Sequence, residues 1–197
     1  MAAYVIVGLG NPGEEYERTP HNLGFRVIDR LAETNSIRVT RKENMALVGL
    51  GRIRGTEIAL AKPQTFMNLS GPAVKGLLER YGLGPDRLLA VYDELALPFG
   101  TLRVRPKGSD AGHNGVKSLI ASLGTQEFAR IRLGIHPDHP VDGLKYVLQP
   151  LRRAQLLEAE EMVDRAAAAV ESVIAEGVEK TMAVYNRRAQ GLQEEEE

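Results

Sequence analysis

The stretch YVIVGLGNPG, residues 4–13, indicates the fold class. Its first four residues form an apolar run with β-branched side chains, typical of a strand buried on both faces of a sheet, and the run ends at Gly8. A helical pattern of apolar residues begins only after Asn22, its predicted N-cap, and continues to about residue 34. The segment therefore predicts a buried strand, then a long loop, then the first helix.

The same stretch contains Gly8-Leu-Gly10-Asn-Pro-Gly13, which matches the G-x-G-x-x-G string of dinucleotide-binding folds. In those folds a helix begins at once, so that its N-terminus meets the pyrophosphate. Here Pro12 and Pro20 bracket residues 14–19, which predicts a loop instead. An enzyme with a nucleotide cofactor is the second interpretation, and a binding titration with NAD(P) or ATP would test it.

Strands and helices continue to alternate along the chain. Ser70 is the predicted cap of the second helix, Gly124 ends the third, and the last helical region breaks near Gly177. This alternation predicts an α/β fold, a single-domain sandwich with a mixed, largely parallel central sheet flanked by helices. The further strands are predicted at residues 45–50, 57–61, 88–92, 101–105 and 129–135, and the further helices at residues 71–81, 114–123 and 153–188.

Composition indicates an ordinary soluble protein. The 197 residues are 43% hydrophobic and 26% charged, which fits one compact domain over residues 1–190. There is no Cys, which excludes disulfides, thiolate nucleophiles and cysteine-ligated metals and suits a reducing cytoplasm. No apolar run is long enough for a signal h-region or a membrane span, so we expect a cytoplasmic protein. Residues 191–197 include four consecutive Glu and are predicted to form a disordered acidic tail.

Charge is unevenly distributed along the chain. The net charge is −1, but four of the acids lie in the tail, so the remainder is net positive. Basic residues on one stretch of chain indicate either a solvated surface or a phosphate site. These residues are Arg103, Arg105, Lys107, Lys117, Arg130 and Arg132.

Polar residues lie at the ends of the predicted elements, where α/β folds gather their ligands. Each also has a structural explanation, because Asn is common in turns, Asp caps helices and a lone His is more often structural than catalytic. Periodicity does not choose between these interpretations. The residues are Asn11 after the first strand, His21 before the first helix, Asn68 before the second helix, Asp93 at the end of the 88–92 strand, and His113 with Asn114 at the start of the 114–123 helix.

Four strings carry a family resemblance: VGLGNPGEEYERTPHNLGF (7–25), KPQTFMNLSG (62–71), DELALPFG (93–100) and GSDAGHNGVKSLIASLGTQEFARIRLGI (108–135). In content, order and approximate spacing they resemble the bacterial peptidyl-tRNA hydrolase family. The departures are Ala96, where the family usually has an acid, and Asp110-Ala111, where Gly or Ser is more frequent. The second departure affects the loop beside the expected phosphate site, and with it the affinity for tRNA.

The resemblance implies hydrolysis of the ester of peptidyl-tRNA, which releases peptide and tRNA and clears peptidyl-tRNAs that drop off or stall during translation. It implies that His21 is the catalytic base, that Asp93 stabilises it, and that Asn11 discriminates between substrates. It further implies binding of the peptidyl group and tRNA by Tyr16, Phe66, Met67, Asn68, His113 and Asn114, and of phosphate by Arg105, Lys107 and Arg132.

These residues suit that chemistry. Without Cys, and without a serine beside a base in these motifs, water is the natural nucleophile, and an imidazole titrating near pH ~6.5 can take its proton. We expect no cofactor and no metal, and a monomer whose partner is the acceptor end and phosphates of peptidyl-tRNA, with no membrane or DNA partner. A binding protein of the same fold without hydrolysis is the other alternative, since the family has a relative recruited to chloroplast intron splicing.

Overall fold

The computed structural model describes residues 1–186. Within them, strands and helices alternate as predicted. The strands are β1 (Tyr4–Gly8), β2 (Arg41–Glu43), β3 (Ala46–Ile53), β4 (Thr56–Pro63), β5 (Leu88–Pro98), β6 (Leu102–Arg105) and β7 (Ala129–His136). The α-helices are α1 (Leu23–Thr34), α2 (Ser70–Arg80), α3 (Asn114–Leu123), α4 (Gly143–Tyr146), α5 (Arg153–Glu176) and α6 (Val178–Tyr185).

Two sequence expectations fall at the edge of this range. The acidic tail predicted at residues 191–197 and the end of the last predicted helix lie outside the described residues. The assignment of residues 1–190 to one domain stays a prediction. Among residues 1–186, no helix is both long and apolar enough to cross a membrane.

All seven strands form one sheet, in the order β2-β3-β4-β1-β5-β7-β6. The central strands β4, β1, β5 and β7 are parallel to one another, whereas β2, β3 and β6 pair antiparallel with their neighbours. The predicted mixed sheet is confirmed, with parallel pairing at its centre and antiparallel pairing at both edges. Because parallel strands end at one edge of a sheet, the segments that follow β1, β4 and β5 meet there.

Helices cover both faces of the sheet. Ile6 packs in the core formed with α1 and α5, while its neighbours Val5 and Val7 pack in the core formed with α2 and α3. All three side chains are fully buried. Burial on both faces is the reason why β1 is an unbroken apolar run instead of an alternating one.

Two predicted element ends differ from the structure. β5 continues to Pro98, but its regular pairing with β7 stops at Glu94, so Asp93 lies near the end of the regular ladder and not at the end of the strand. Ser70 does not cap α2, since it is already inside the helix and its hydroxyl donates to the carbonyl of Met67. Residues 67–69 form a 3₁₀ turn that leads directly into α2, which leaves no cap position for Ser70.

The start of α1 lies directly on the backbone of the sheet. A Cβ atom on Gly8 would come within 2.1 Å of the Gly24 carbonyl oxygen, and one on Gly24 would come within 2.4 Å of the Val91 carbonyl oxygen. This close approach requires glycine at both positions. It also brings His21, three residues before Gly24, next to Asp93, two residues after Val91.

The edge strand β6 is covered by a side chain. The amide of Asn186 accepts from the Val104 N–H at 2.8 Å and donates to the Val104 carbonyl at 3.0 Å. Asn186 follows α6 directly and so attaches the end of this helix to the sheet.

We expect Gly24→Ala to lower the free energy of unfolding by about 1–3 kcal/mol, because the added methyl group meets backbone that cannot rotate away. Gly76→Ala in α2 is the matched control, since its Cβ would meet only the Asn44 side chain, at 3.2 Å. Alanine's better helix propensity offsets that contact by up to about 1 kcal/mol, so this variant should stay near the wild type. Urea unfolding measures both, and equal stability of the two variants would contradict the close packing.

Candidate active site

The carboxylate of Asp93 is the centre of a group of three buried side chains. Only 2% of Asp93 is exposed. His21 Nδ1 lies 3.0 Å from Oδ1 and 2.9 Å from Oδ2, and His113 Nε2 lies 2.9 Å from Oδ1. The sequence predicted that His21 and Asp93 act together, and the structure brings them into contact. The contact between His113 and Asp93 was not predicted.

The orientation of His113 is fixed by the start of α3. His113 is the N-cap residue of this helix, and its Nδ1 accepts from the N–H groups of Gly115 at 3.1 Å and Val116 at 3.3 Å. An accepting Nδ1 carries no proton, so the ring proton is on Nε2 and is donated to Asp93. Both ring nitrogens of His113 are thus used within the protein. The predicted contact of His113 with the peptidyl group or the tRNA stays a prediction.

His21 presents the opposite arrangement. It lies in a short 3₁₀ helix, Pro20–Asn22, and its own N–H donates to the Val147 carbonyl at 3.0 Å. Because Nδ1 donates to Asp93, the lone pair is on Nε2, which makes no hydrogen bond within residues 1–186. Its ring centroid is 4.9 Å from that of His113. In its neutral form the imidazole is therefore a base with one free nitrogen.

Burial and charge act in opposite directions on the pKa values of this group. Burial lowers the pKa of His21, but the negative charge of Asp93 and the hydrogen bond to it outweigh burial, so the pKa of His21 is raised above 6.5. Burial would raise the pKa of Asp93, but the two imidazoles hold that pKa well below its usual range. At neutral pH the carboxylate is ionised, and it favours a proton on His21.

The same three side chains have the composition of a metal site. Their ligand atoms lie within 4.8 Å of one another, the one such group among residues 1–186. The nitrogen–oxygen distances of 2.9 to 3.0 Å are those of hydrogen bonds, and the proton on His113 Nε2 would have to leave before a metal bound there. The geometry thus fits a hydrogen-bonded His–Asp–His group, and the absence of a metal stays a prediction.

Asn11 is held by hydrogen bonds from two other segments. Its N–H donates to Asn22 Oδ1 at 2.8 Å, and its carbonyl accepts from Asn22 Nδ2 at 2.9 Å. Its side-chain oxygen accepts from the Met67 N–H at 2.8 Å, which leaves Nδ2 as the unused donor. Asn22 is the N-cap residue of α1, as predicted, but its side chain binds the glycine-rich loop and makes no capping hydrogen bond to the helix. Asn11 also lies in the lining of a cavity of about 600 Å³, together with Asn22.

The other predicted binding residues flank this centre. Phe66 is 61% exposed, whereas Met67 is only 4% exposed and packs its sulfur beneath Gly115. That contact places Asn68, next to Met67, on the segment neighbouring Asn114, the exposed first residue of α3. Tyr16 is half-buried in the 3₁₀ helix Glu14–Tyr16. Substrate contacts by these residues stay predictions, and for Met67 the side chain is largely inside the core.

Four arginines share one face of the β6–β7 pair. Arg103 lies opposite Arg132, and Arg105 lies opposite Arg130. None of the four belongs to an ion pair formed within residues 1–186. Burial, together with Arg103 and Arg132, lowers the pKa of Arg105. Arg130 is completely buried, whereas the other three are partly exposed. Like charges facing one another destabilise a sheet, so the three partly exposed arginines are suited to a polyanion. Lys107 is exposed just beyond β6.

Comparisons with known proteins agree on one family. A family model for peptidyl-tRNA hydrolase matches residues 5–194. A peptidyl-tRNA hydrolase from Solibacter usitatus is 55% identical over 194 residues, which cover 98% of this chain and 99% of that protein. One from Koribacter versatilis is 48% identical and covers 93% of this chain and 92% of its own length.

A solved structure supports the same relationship. The crystal structure of peptidyl-tRNA hydrolase from Acinetobacter baumannii superposes with a TM-score of 0.85 at 30% sequence identity. The match covers 93% of this chain and 95% of that one. The similarity thus extends through the helical C-terminal part, which the four sequence strings do not reach.

We expect Asp93→Asn to lower the pKa of His21 below 6.5, because burial would then act without the carboxylate that opposes it. Titration of the imidazole signals by NMR measures this change. The exposed rings of His136 and His139 provide reference signals that should be the same in both proteins. An unchanged pKa of His21 would show that Asp93 does not control its protonation.

Proposed function

Since this chain belongs to the peptidyl-tRNA hydrolase family, and is therefore an enzyme that hydrolyses peptidyl-tRNA, we propose that His21 is its catalytic base. The observation that supports this role is the Nδ1 hydrogen bond to Asp93, which leaves Nε2 free to accept a proton. His21 is oriented from two sides, since its backbone N–H is also fixed by Val147.

The proposed reaction begins with a water molecule beside Nε2 of His21. This nitrogen takes one proton as the water oxygen bonds to the ester carbonyl carbon, which gives a tetrahedral intermediate with a negative oxygen. The intermediate then collapses, the bond to the ribose oxygen of the tRNA breaks, and His21 returns the proton to that oxygen. The products are a free peptide and a tRNA with an intact 3′ end.

Asp93 stabilises the imidazolium that exists between these two proton transfers. It accepts a hydrogen bond from the Nδ1–H group throughout, so it holds the ring in one tautomer and remains ionised itself, as in serine-protease triads. His113 donates to the same carboxylate and so keeps it in place. We assign His113 to positioning Asp93.

Neutral amides are suited to the negative oxygen of the intermediate. Asn68 and Asn114 lie on adjacent segments and are exposed, and we propose that their N–H groups donate to the peptidyl group and to the developing charge. Loss of one such donor typically raises the activation barrier by about 2.7–4 kcal/mol. Tyr16 and Phe66 would then form the walls around the peptidyl group and the terminal nucleotide.

Asn11 is our candidate for discrimination against aminoacyl-tRNA, which has a free ammonium group. The Met67 N–H fixes the amide oxygen of Asn11, so Nδ2 is presented as a donor in one orientation. A peptide carbonyl can accept from it, while an ammonium group cannot and would leave the amide unpaired.

The arginine face is the proposed site for tRNA phosphate. Arg105, Lys107 and Arg132 would supply affinity that does not depend on sequence and falls with salt. Guanidinium groups also match the geometry of phosphate oxygens, which they can bind through two N–H groups. We propose a monomer that acts in the cytoplasm on the acceptor end of peptidyl-tRNA during translation, without a DNA or membrane partner.

The first test is hydrolysis of N-acetyl-aminoacyl-tRNA. We expect His21→Ala to lower kcat by about 10²- to 10⁴-fold, the usual contribution of a general base, while tRNA binding and the melting temperature change little. His139→Ala removes an exposed imidazole outside the site and is the matched control. If His21→Ala turns over substrate at the wild-type rate, His21 is not the base. If the wild-type protein binds the substrate but does not hydrolyse it, the alternative of a binding protein is favoured.

The second test concerns Asn11. Asn11→Asp keeps an oxygen for the Met67 N–H but removes the donor, whereas Asn11→Ala removes both. If the donor recognises the peptidyl group, both variants should lose about 1–3 kcal/mol in kcat/KM for the N-acetylated substrate and far less for the unblocked one. If Asn11 only shapes the loop, Asn11→Ala should slow both substrates in proportion and melt earlier. An unchanged selectivity ratio in both variants would contradict the proposed role.

A further inference from the structure

Arg130 is a buried cation that the reaction does not use. It is completely buried, and no ion pair within residues 1–186 includes it. Its guanidinium donates to three backbone carbonyls, those of Gln126 at 2.7 Å, Ser109 at 3.3 Å and Phe128 at 3.3 Å. It also lies 4.1 Å from the centroid of the Phe128 ring. Its donors are thus occupied by the protein, while its positive charge is not neutralised.

These hydrogen bonds attach the loop after β6 to the sheet. Ser109 lies in the middle of residues 107–112, and Gln126 lies just before β7. The Gly108 N–H also donates to the Gln126 carbonyl, at 3.4 Å. Arg130 therefore sets the path of the segment that runs from the arginine face to His113.

Tyr92 fixes the guanidinium of Arg132 from the protein interior. Its side chain is 1% exposed, and its hydroxyl accepts from Arg132 Nε at 3.2 Å. The same side chain also interacts with Arg130. On the other side Arg132 Nη2 lies against Gly108, where a Cβ atom would come within 2.8 Å of it. Within residues 1–186 the two terminal nitrogens of Arg132 make no hydrogen bond. The guanidinium is thus fixed through Nε and by the loop, with its outer N–H groups available.

We propose that Tyr92 and Arg130 are positioning residues that hold Arg132 and residues 107–112 in the geometry that binds a tRNA phosphate before the substrate arrives. This inference rests on the proposed phosphate role of Arg132. Fixing a long side chain in advance reduces the conformational entropy lost on binding, so affinity increases without any new contact to the ligand. Neither residue touches the reacting atoms.

Glu94 is the acid to consider as a competing partner for Arg132. Its carboxyl lies within electrostatic reach of Arg132, but the two form no ion pair. Burial raises the pKa of Glu94, with Arg132 acting against that shift. Arg132 is therefore held by a neutral hydroxyl and not by a carboxylate, which leaves its charge for an anionic ligand.

The test compares a substrate that has phosphates with one that has none. Tyr92→Phe removes only the hydroxyl. With N-acetyl-aminoacyl-tRNA we expect KM to rise about three- to tenfold, the effect of one hydrogen bond, with kcat within about twofold of the wild type. The second substrate is the same N-acetyl-aminoacyl ester on adenosine alone, followed at high enzyme concentration. Its rate of hydrolysis should be the same for Tyr92→Phe and the wild type.

Tyr81→Phe is the matched control. Tyr81 loses the same hydroxyl, here one that donates to Glu43, at the far end of α2 from the active site. This variant should retain the wild-type KM for both substrates. A rise in KM equal to that of Tyr92→Phe would mean that the effect is general destabilisation.

A double-mutant comparison separates positioning from other effects. If Tyr92 acts through Arg132, adding Tyr92→Phe to Arg132→Ala should raise KM by a smaller factor than Tyr92→Phe does in the wild type. A rise in the double variant by the same factor as in Tyr92→Phe alone would overturn the proposal, because the two residues would then act independently. A loss of rate on the adenosine ester would also overturn it, because it would place the effect on His113 and the base. Failure of the wild type to hydrolyse either substrate would refute the proposed function instead, and the Kd for deacylated tRNA then provides the same comparison.

Arg130 is tested with Arg130→Met and Arg130→Lys. The methionine variant removes both the charge and the carbonyl contacts, so KM for the tRNA substrate should rise by more than in Tyr92→Phe. Lysine keeps the charge but cannot reach three carbonyls at once. The KM of Arg130→Lys should therefore lie between the KM of Arg130→Met and that of the wild type. A thermal melt accompanies both. If Arg130→Met does not fold, the KM of Arg130→Lys is the test. A wild-type KM in Arg130→Lys would show that the three hydrogen bonds from the guanidinium do not position the phosphate site.

Discussion

The buried carboxylate of Asp93 is the interaction on which the active site depends. A buried, ionised carboxyl group is costly unless hydrogen bonds satisfy it, and here two imidazole N–H groups do so. Each imidazole is fixed in turn by backbone, His21 through Val147 and His113 through the first turn of α3. The carboxylate thus links three segments that are distant in sequence, and the free nitrogen of His21 results from that linkage.

The catalytic group and the arginine face belong to one continuous arrangement. The ring of Tyr92 lies 5.0 Å from that of His113, while its hydroxyl accepts from Arg132. The loop that begins after β6 ends at His113, so the same short stretch of chain borders both the phosphate site and the base. Under the proposed function, a tRNA bound there by its phosphates would be presented to His21 at a fixed separation, which is how positioning accelerates a reaction between bound partners.

The sequence predicts most of the fold but only part of the site. The unbroken apolar run of β1 predicts its burial on both faces, and polar residues after parallel strands predict where the site lies. β2 and α4 have three and four residues and are too short to show a period. The contacts of His113 with Asp93 and of Asn22 with Asn11 join separate segments through side chains, which leave no periodic signal. The roles of individual residues come from the family resemblance, since no pattern distinguishes a catalytic His from a structural one.

The amide of Asn186 affects how the protein behaves among other chains. An edge strand exposes unpaired N–H and carbonyl groups, and these are a template on which strands of other molecules can add and aggregate. At Val104 both groups are already occupied by one side chain, so an incoming strand finds no pair of partners at the middle of β6. The opposite edge is protected differently, by the exposed charges of Arg41 and Lys42 on β2. Both edges of the sheet therefore offer few open backbone partners to a strand of another molecule.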